Sequence, residues 1–273
     1  MQTKSYAKIN WTLRITSRRA DGYHELETLF QTISLYDTIT LMESDAWTIT
    51  CDDPEVPCDE RNLIMQAAHL IQSPPLYIAL QKRIPAGGGL GGGSSNAAAT
   101  LCAIDQMFNL RTPPNRMREF AAQLGSDVPF FLERGLAYAT GRGEQLTQLQ
   151  GGVSIPLLLI FPSERVSTAE AYSLVKTYSQ PLGLDAYRSM LRGDFLSNAS
   201  KLVNDFEGPI FARMPRLRDY RERLLRKGAL WAHMTGSGST IVGAFRDQAS
   251  RDAAQSEFWD VRNEPATTLT SGS

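Results

Sequence analysis

The sequence predicts an α+β fold. Apolar and polar residues alternate in stretches such as residues 7–16, and a period of two indicates a strand with two unlike faces. Other stretches, such as residues 217–225, repeat apolar residues every three or four positions, which indicates a helix with one apolar side. Hydrophobic residues make up 42% of the chain, enough for a real core, and its 273 residues suit one large domain or two modest ones.

Composition argues against several classes of protein. The net charge of −1 gives no strong attraction to nucleic acid or anionic membranes. No apolar run reaches the roughly 20 residues that span a membrane, and the N-terminus shows neither a secretory apolar region nor a plastid leader. Cys51, Cys58 and Cys102 form no CxxC pair, which suits a reducing cytoplasm without disulfides or a zinc site. We therefore expect a cytoplasmic protein, with no nucleic acid and no membrane as partner. The expected state is a monomer or weak homodimer, although composition does not determine it.

The first predicted strand carries two polar residues on one face. Lys8 and Asn10 alternate with Ala7, Ile9 and Trp11, and a strand places such alternate residues on the same side. Alternation alone favours a solvated polar face for this pair.

A turn is predicted at Asp21-Gly22, and Tyr23 and His24 follow it at the edge of a loop. Such an aromatic pair most often belongs to the core or to an ordinary surface. Its chemistry also suits a nucleobase, because an aromatic face stacks on a base and an imidazole hydrogen-bonds its polar edge.

The next elements lead towards a glycine-rich stretch. Antiparallel strands are predicted at residues 38–42 and 47–50. Asn62 is a suitable helix cap for the apolar repeat that follows it, and His69 within that helix is expected to be structural. Residues 76–80 alternate again and predict the strand that enters the glycine-rich stretch.

Six glycines lie between Gly87 and Gly93, an arrangement that would be costly inside a helix or strand. Ser94, Ser95 and Asn96 are helix-capping types, and an apolar repeat at helical spacing follows them. The order of strand, glycine loop and helix start presents backbone N–H groups to an anion, most often a phosphate.

The glycine pattern alone does not identify the kind of phosphate loop. Gly87-x-Gly89-x-x-Gly92 matches the dinucleotide fingerprint, but the usual βαβ context is not evident. Walker A spacing is present as well, with Ser94 where the lysine should stand, so Lys82 is the residue that would supply the charge. A flexible linker is disfavoured, because the loop is framed by a strand and a helix.

Another helix is predicted to open at Pro113 and to end at Gly125. Pro129 suits the first turn of the following helix, which places Asp127 at or near that helix's N-terminus. From the residues alone, Asp127 either caps the helix or serves chemistry.

The second half is predicted to pass from a buried strand through helices to further strands. These elements are expected at residues 155–161, 194–203, 215–227, 230–234 and 240–245. A second glycine loop, residues 235–239, is either a plain hairpin turn or part of a site. Gly151-Gly152 is the expected domain joint, and the tail from Pro265 is expected to be disordered.

The segment of residues 85–95, with its two glycine triplets, resembles the ATP-binding loop of the GHMP kinases, which phosphorylate small alcohols and acids. Residues 7–10 and 20–24 extend the resemblance, which runs from about residue 8 to residue 245. It implies a two-domain α+β fold, with residues 1–152 and 153–273 as the domains and the ATP site in a cleft between them. Residues 204–207 match a recurring family segment to which the resemblance gives no role.

The resemblance also implies a set of site residues. Lys8 and Asp127 would be catalytic: Lys8 would stabilise charge on the transferring phosphoryl group or the attacking oxygen, and Asp127 would accept or orient the proton of the acceptor hydroxyl. The implied substrate-binding residues are Asn10, Tyr23, His24 and Thr168. The implied ATP-binding residues are Lys82, Pro85, Ala86, Gly87, Gly88, Gly89, Leu90, Gly91, Gly92, Gly93, Ser94 and Ser95. Mg²⁺ would accompany ATP, with Ser94 or Ser95 as the candidate ligand and no acid identified.

The implied reaction is the ATP-dependent phosphorylation of a cytidine diphosphate-linked polyol, at the 2-hydroxyl of its methylerythritol part, in the non-mevalonate isoprenoid pathway. A homoserine or mevalonate type of GHMP kinase is the first alternative, although the segment Asp21-Gly-Tyr-His24 is not expected there. A non-catalytic sensor on the same fold is another, and it should have lost Lys8 or Asp127. An RNA-binding module is disfavoured by the absence of a basic cluster.

Overall fold

The structure is a computed structural model that describes residues 1–150 and 154–270. The chain packs as two compact units. Unit I comprises Met1–Ala7, Leu35–Ala86 and Gly91–Arg134. Unit II comprises Lys8–Ser34, Gly87–Leu90 and the described part of Gly135–Ser273. The expected joint at Gly151-Gly152 lies outside the described residues, and a division into residues 1–152 and 153–273 stays a prediction.

Two long strands each contribute residues to both units. Strand β1 (Gln2–Arg18) pairs with strand β2 (His24–Glu43). The predicted turn between them is present, with Gly22 at a φ of 88°, a left-handed conformation that glycine adopts without steric cost. Long stretches of both strands are buried on both faces.

The sheet of unit I is completed by two short strands, β3 (Thr48–Cys51) and β4 (Leu76–Gln81). Strand β4 pairs antiparallel with residues 38–43 of β2 and parallel with β3. The strands predicted at residues 38–42 and 47–50 therefore run in opposite directions, as expected, but β4 lies between them.

The helices of unit I are grouped around the one that begins within the first glycine loop. They are α1 (Leu63–Leu70), α2 (Gly92–Met107), α3 (Pro114–Leu124) and α4 (Val128–Glu133). Helix α2 packs against the other three. The predicted cap of α1 is confirmed, because Asn62 Oδ1 accepts a hydrogen bond of 2.9 Å from the backbone N–H of Ile64.

The predicted start of α2 needs a correction. The residue that precedes the helix is Gly91, in the left-handed conformation with a φ of 70°, and the helix begins at Gly92. Ser94, Ser95 and Asn96 therefore lie inside the first two turns and do not cap the helix. The reason is that the left-handed glycine turns the chain into helical geometry earlier than any side-chain cap would.

Unit II contains two sheets. Strands β5 (Leu136–Gly141) and β6 (Gln145–Leu149) extend the antiparallel pairing of residues 26–31 of β2. The other sheet is antiparallel with the order β10-β7-β9-β8, formed by β7 (Pro156–Phe161), β8 (Trp231–Met234), β9 (Ile241–Ala244) and β10 (Arg262–Thr267). Every residue of β7 is buried, which confirms the prediction of a buried strand there.

The helices of unit II are α5 (Thr168–Leu174), α6 (Leu184–Leu191), α7 (Glu207–Arg213), α8 (Pro215–Arg226) and α9 (Gln248–Gln255). A shared core joins α5, α7, α8 and α9 to the β10-β7-β9-β8 sheet, with Ile160, Phe206, Leu217 and Phe245 among its members. The α-helix predicted at residues 194–203 is instead a 3₁₀-helix, Phe195–Lys201.

The predicted disorder of the tail is wrong for residues 265–270. Pro265 lies in β10 opposite Leu158, and the backbone N–H of Thr268 donates to the carbonyl of Ile155 at 3.1 Å. Strand pairing uses backbone groups, which a tail rich in threonine and serine also possesses, so composition gave a misleading signal here. The structure confirms the α+β class. Within residues 1–150 and 154–270, no helix has the length and apolarity to cross a membrane.

Candidate active site

Strand β1 holds Lys8 and Asn10 inside the protein. Both are buried, with exposed fractions of 3% and 2%, so the expectation of a solvated polar face is wrong. Lys8 Nζ donates to Asn10 Oδ1 at 2.8 Å and lies 5.0 Å from the centre of the Phe30 ring. Asn10 Nδ2 in turn donates to Thr28 Oγ1 at 2.7 Å. These contacts fix the position of the lysine ammonium group.

The second glycine loop, residues 235–239, contacts Asn10 directly. The backbone N–H of Gly236 donates to Asn10 Oδ1 at 3.1 Å, and the backbone N–H of Asn10 donates to Thr235 Oγ1 at 3.0 Å. The loop also joins the paired strands β8 and β9. The hairpin alternative is thus confirmed, and its contacts hold Asn10, a candidate site residue; a part for the loop in a site stays a prediction.

Gly87–Leu90, the part of the first glycine loop in unit II, packs against the same residues. The backbone N–H of Lys8 donates to the carbonyl of Leu90 at 3.0 Å. Gly89 has a φ of 77°, and a Cβ atom there would lie 2.1 Å from the carbonyl oxygen of Thr235. Such a distance is far inside van der Waals contact, so this position requires glycine. Within unit II, Lys8, Asn10 and residues of the two glycine loops form one cluster.

The rest of the first glycine loop opens helix α2 in unit I. Among the described residues, no side chain caps this helix N-terminus. The first-turn N–H groups and the positive end of the helix dipole are therefore available to an anion. Ser94 is partly exposed in this turn, whereas the hydroxyl of buried Ser95 donates to the carbonyl of Tyr6 at 2.6 Å.

Lys82 belongs to a charged network in unit I. Its Nζ lies 2.5 Å from Oδ2 of the fully buried Asp37, and 3.4 Å from Asn96 Oδ1. Asp37 Oδ1 also accepts from the backbone N–H groups of Arg83 and Ile84, at 2.8 and 2.9 Å. The ion pair balances the charge of Lys82 and fixes the residues that lead into Pro85 and Ala86. Direct phosphate binding by Lys82 stays a prediction.

Two predicted substrate residues lie where the β1–β2 connection enters β2: Tyr23 ends the connection and His24 is the first residue of the strand. Tyr23 is 55% exposed, and the Arg142 guanidinium carbon lies 4.7 Å from the centre of its ring. The His24 ring stacks on that of Tyr172 with centroids 4.9 Å apart. Burial, with a smaller contribution from the Arg18 cation, lowers the pKa of His24 below its ordinary value of 6.5. A lowered pKa favours the neutral imidazole, which offers one donor and one acceptor.

The remaining predicted substrate residue, Thr168, begins helix α5. Its hydroxyl lies 3.1 Å from that of Ser237, so it meets the second glycine loop. Ser167 caps the helix by accepting from the backbone N–H of Glu170 at 3.1 Å.

Asp127 occupies the cap position of α4 in unit I and is partly exposed. In the described structure its carboxylate makes no capping hydrogen bond to the helix. The alternative that Asp127 serves only as a cap is therefore not supported.

Sequence reasoning missed the buried carboxylate of Glu27. Glu27 is buried and accepts hydrogen bonds from the hydroxyls of Tyr187 and Tyr138, at 2.8 and 3.1 Å. It also accepts from the backbone N–H groups of Leu182 and Gly183. Burial and the charge of Glu27 raise the pKa of Tyr138 to about 12 and also raise the pKa of Tyr187. No local pattern in the sequence points to Glu27, because its partners lie more than 100 residues away in the chain.

Comparison with known proteins identifies the family. The model of the GHMP kinases N terminal domain matches residues 62–135, and that of the GHMP kinases C terminal domain matches residues 186–260. A 4-diphosphocytidyl-2-C-methyl-D-erythritol kinase from Chlorobium chlorochromatii is 38% identical over 266 residues, covering 93% of this chain and 91% of its own. The chain belongs to the GHMP kinase family. As a member it is a small-molecule kinase, for which ATP is the co-substrate.

Other GHMP kinases differ in how closely they match. A relative with the same name as the Chlorobium protein, from Caldanaerobacter subterraneus, is 40% identical over 90% of this chain and 88% of its own. The crystal structure of a 4-(cytidine 5'-diphospho)-2C-methyl-D-erythritol kinase has a TM-score of 0.86 and 33% identity, over all of both chains. A homoserine kinase from Cytophaga hutchinsonii has a TM-score of 0.72 but 18% identity, over 99% of this chain and 95% of its own, and shows the shared fold alone.

Proposed function

We propose that this kinase transfers the γ-phosphoryl group of ATP to the 2-hydroxyl of 4-diphosphocytidyl-2-C-methyl-D-erythritol, a step of the non-mevalonate isoprenoid pathway. The observation that carries the proposal is the identity of 38–40% over nine-tenths of the chain to kinases named for this acceptor. The stacked pair of His24 and Tyr172, beside the exposed Tyr23, suits a cytosine ring. The reaction needs neither a membrane nor a nucleic acid, and we place it in the cytoplasm, in a monomer or weak homodimer.

Lys8 is proposed to stabilise the negative charge of the transferring phosphoryl group. Such stabilisation is effective when the lysine is already in place, because a fixed charge needs no rearrangement during the reaction. Asn10 holds the lysine by accepting a hydrogen bond of 2.8 Å from Lys8 Nζ, and Gly236 and Thr28 in turn hold the Asn10 amide group.

Asp127 is proposed to hydrogen-bond the acceptor hydroxyl and to accept its proton. Phosphoryl transfer passes through a loose transition state in which positioning carries most of the catalysis. The proton then leaves late, so the transfer does not require a strong base. The partly exposed side chain at the start of α4 is consistent with this role.

The ATP phosphates are proposed to bind the N–H groups of the first glycine loop and of the first turn of α2. Mg²⁺, when bound, would neutralise part of the phosphate charge. The described residues contain no cluster of three or more His, Cys, Asp or Glu that could hold a metal ion. The partly exposed Ser94 hydroxyl fits a Mg²⁺ that is held mainly by phosphates and water, as is usual for this ion.

A coupled assay of ADP release tests the proposal. Wild type should release ADP with the cytidine acceptor, and not with homoserine or mevalonate. Lys8→Ala should lower kcat by about 100- to 1,000-fold, the range for removal of one charge-stabilising group, and Asp127→Asn should also lose most of the rate. Asp185→Asn, whose side chain is 95% exposed, is the matched control and should keep full activity.

Each other outcome points to a different conclusion. ADP release with homoserine or mevalonate alone would leave the kinase fold and overturn the acceptor. Binding of nucleotide without turnover of any acceptor would favour the sensor. Full activity of Lys8→Ala would contradict the role of Lys8.

A further inference from the structure

Residues 204–207, Asn-Asp-Phe-Glu, follow the 3₁₀-helix and run into the start of α7. Asn204 is buried, with an exposed fraction of 6%. Its Nδ2 donates to the carbonyls of Met234 and Gly236, at 2.7 and 2.8 Å, and its Oδ1 accepts from the backbone N–H of Phe206 at 3.0 Å. Both amide hydrogens are used, and a flipped amide would set its oxygen against two carbonyls.

We propose that Asn204 is a positioning residue that sets the conformation of the second glycine loop and, through it, the position of Asn10 and Lys8. The inference rests on the proposed function. Asn204 fixes the carbonyl of Gly236, and the N–H of the same residue donates to Asn10 Oδ1 at 3.1 Å. Asn10 Oδ1 is also the acceptor for Lys8 Nζ. A displaced Gly236 would therefore move the group that orients the lysine.

The rest of the segment anchors Asn204 to the strand that carries Lys8. Asn204 forms a parallel bridge with Leu13 of β1. Asp205 accepts from the backbone N–H of Ile15 and from the Ser179 hydroxyl, at 2.7 and 2.8 Å. These contacts fix the position of Asn204 relative to β1 independently of the loop.

Glu207 binds the strand end that leads into the loop. One carboxylate oxygen accepts from the backbone N–H of Met234 at 2.7 Å, and the other lies 3.0 Å from His233 Nδ1. Met234 is thus held at its N–H by Glu207 and at its carbonyl by Asn204. These two hydrogen bonds fix the direction in which the chain leaves β8 and enters the loop.

The variant that tests the proposal is Asn204→Asp. It keeps the side-chain oxygen that accepts from Phe206 but loses both donors, and it sets a carboxylate oxygen against the carbonyls of Met234 and Gly236. Asn263→Asp is a matched control, because Asn263 Nδ2 donates to the carbonyls of Phe258 and Val261, at 2.8 and 3.0 Å. Both variants lose the same two kinds of hydrogen bond, but only Asn204 holds the glycine loop.

With ATP and the cytidine acceptor, Asn204→Asp should lower kcat by about 100-fold, the effect of a misplacement near 1 Å. The KM of the acceptor should stay within about threefold, because the cytidine end is proposed to bind elsewhere, at Tyr23 and His24. A change that removes an interaction made only in the transition state lowers kcat and leaves KM nearly unchanged. Asn263→Asp should change kcat by less than about twofold, because the hydrogen bonds that it loses join Asn263 to Phe258 and Val261 and not to either glycine loop.

Hydrogen exchange gives a readout that does not need activity. The Gly236 amide should exchange faster in Asn204→Asp than in wild type or Asn263→Asp, because its hydrogen bond to Asn10 opens with the loop. If Asn204→Asp does not fold, Asn204→Ala removes the same donors without repulsion and should show smaller changes in the same direction.

Equal kcat and equal Gly236 exchange in the Asn204 and Asn263 variants would overturn the proposal. A wild-type enzyme that does not phosphorylate the cytidine acceptor would overturn the proposed function instead. In that case the exchange of Gly236 still decides whether Asn204 sets the loop.

Discussion

The two glycine loops are fixed by different chemistry. An ion pair between Lys82 and the buried Asp37 fixes the residues that enter the first loop. Neutral side-chain amides, those of Asn10 and Asn204, fix the second loop. A buried ion pair depends on both charges, so removal of one leaves the other uncompensated. An amide supplies donors and an acceptor without net charge, so it can hold a loop beside Lys8 without placing a second charge there.

The largest effect is expected from breaking the ion pair. Asp37→Ala leaves the buried ammonium group of Lys82 without its carboxylate and frees the backbone N–H groups of Arg83 and Ile84. The free energy of unfolding should fall by about 3–5 kcal/mol, the usual cost of removing one partner of a buried pair. Urea denaturation measures it.

A double variant isolates the contribution of charge. Asp37→Asn with Lys82→Met removes both charges, and its loss of stability should be smaller than the sum of the two single losses. Asp185→Asn, in the exposed pair with Arg188, should cost less than about 1 kcal/mol. Additive losses in the double variant would contradict the account of the pair.

The contact between the loops gives the next effect. Gly87 and Gly89 both have positive φ, 69° and 77°, but a Cβ on Gly87 meets nothing within 4 Å and one on Gly89 lies 2.1 Å from the Thr235 carbonyl oxygen. Gly87→Ala should cost only the left-handed strain of about 1–2 kcal/mol. Gly89→Ala should cost about 1–3 kcal/mol more through overpacking, and it should lower kcat because Thr235 holds Asn10. Equal stability of the two variants would show that the loops are not in contact.

Glu27 is an intermediate case: this buried carboxylate accepts from two tyrosine hydroxyls and two backbone N–H groups, and Arg14 Nε lies 3.9 Å from its Oε1. The raised pKa of Tyr138, about 12, means that the folded state binds this proton more tightly than the unfolded state. The stabilisation is therefore complete below the ordinary tyrosine pKa of about 10 and is lost as the pH rises towards 12.

Denaturation at several pH values tests this expectation. The unfolding free energy of wild type should fall between about pH 10 and 12 more steeply than that of Tyr138→Phe, since the variant lacks one of the late-titrating hydroxyls. Tyr77→Phe, whose hydroxyl contacts Thr50, serves as the control. Parallel curves for wild type and Tyr138→Phe would contradict the role of Glu27.

The smallest effect concerns His24. Arg18→Gln removes the lesser of two causes that lower its pKa, so the pKa should rise but stay below 6.5, because burial remains. Proton NMR of the three histidines measures this, with His69 and His233 as internal references. A pKa at or above 6.5 in the variant would show that Arg18, and not burial, is the main cause.

Local signals in the sequence predicted the elements that depend on them. Asn62 caps α1, Gly125 ends α3, and the apolar run of β7 is buried. The glycine loops were likewise found, because glycine at positive φ is a property of the position itself. The start of α2 was placed too late for the same reason, since Gly91 and not a side chain begins the helix.

The contacts that fix the site could not be predicted, because they join distant parts of the chain. Asp37 is 45 residues from Lys82, and Asn10 is 226 residues from Gly236. Alternation around Lys8 suggested a solvated face, yet both faces of β1 are buried there. Only tertiary structure determines which polar face is buried.

The most direct test of the central claim is the ³¹P NMR spectrum of the product made by wild type from ATP and 4-diphosphocytidyl-2-C-methyl-D-erythritol. The acceptor oxygen proposed here is on C2, which carries the methyl branch and no hydrogen. The account predicts ADP and a new phosphomonoester signal without proton coupling. A phosphomonoester split by neighbouring protons would place the phosphate on another hydroxyl, and the absence of any new signal, with phosphorylation of homoserine or mevalonate in its place, would contradict the proposed function.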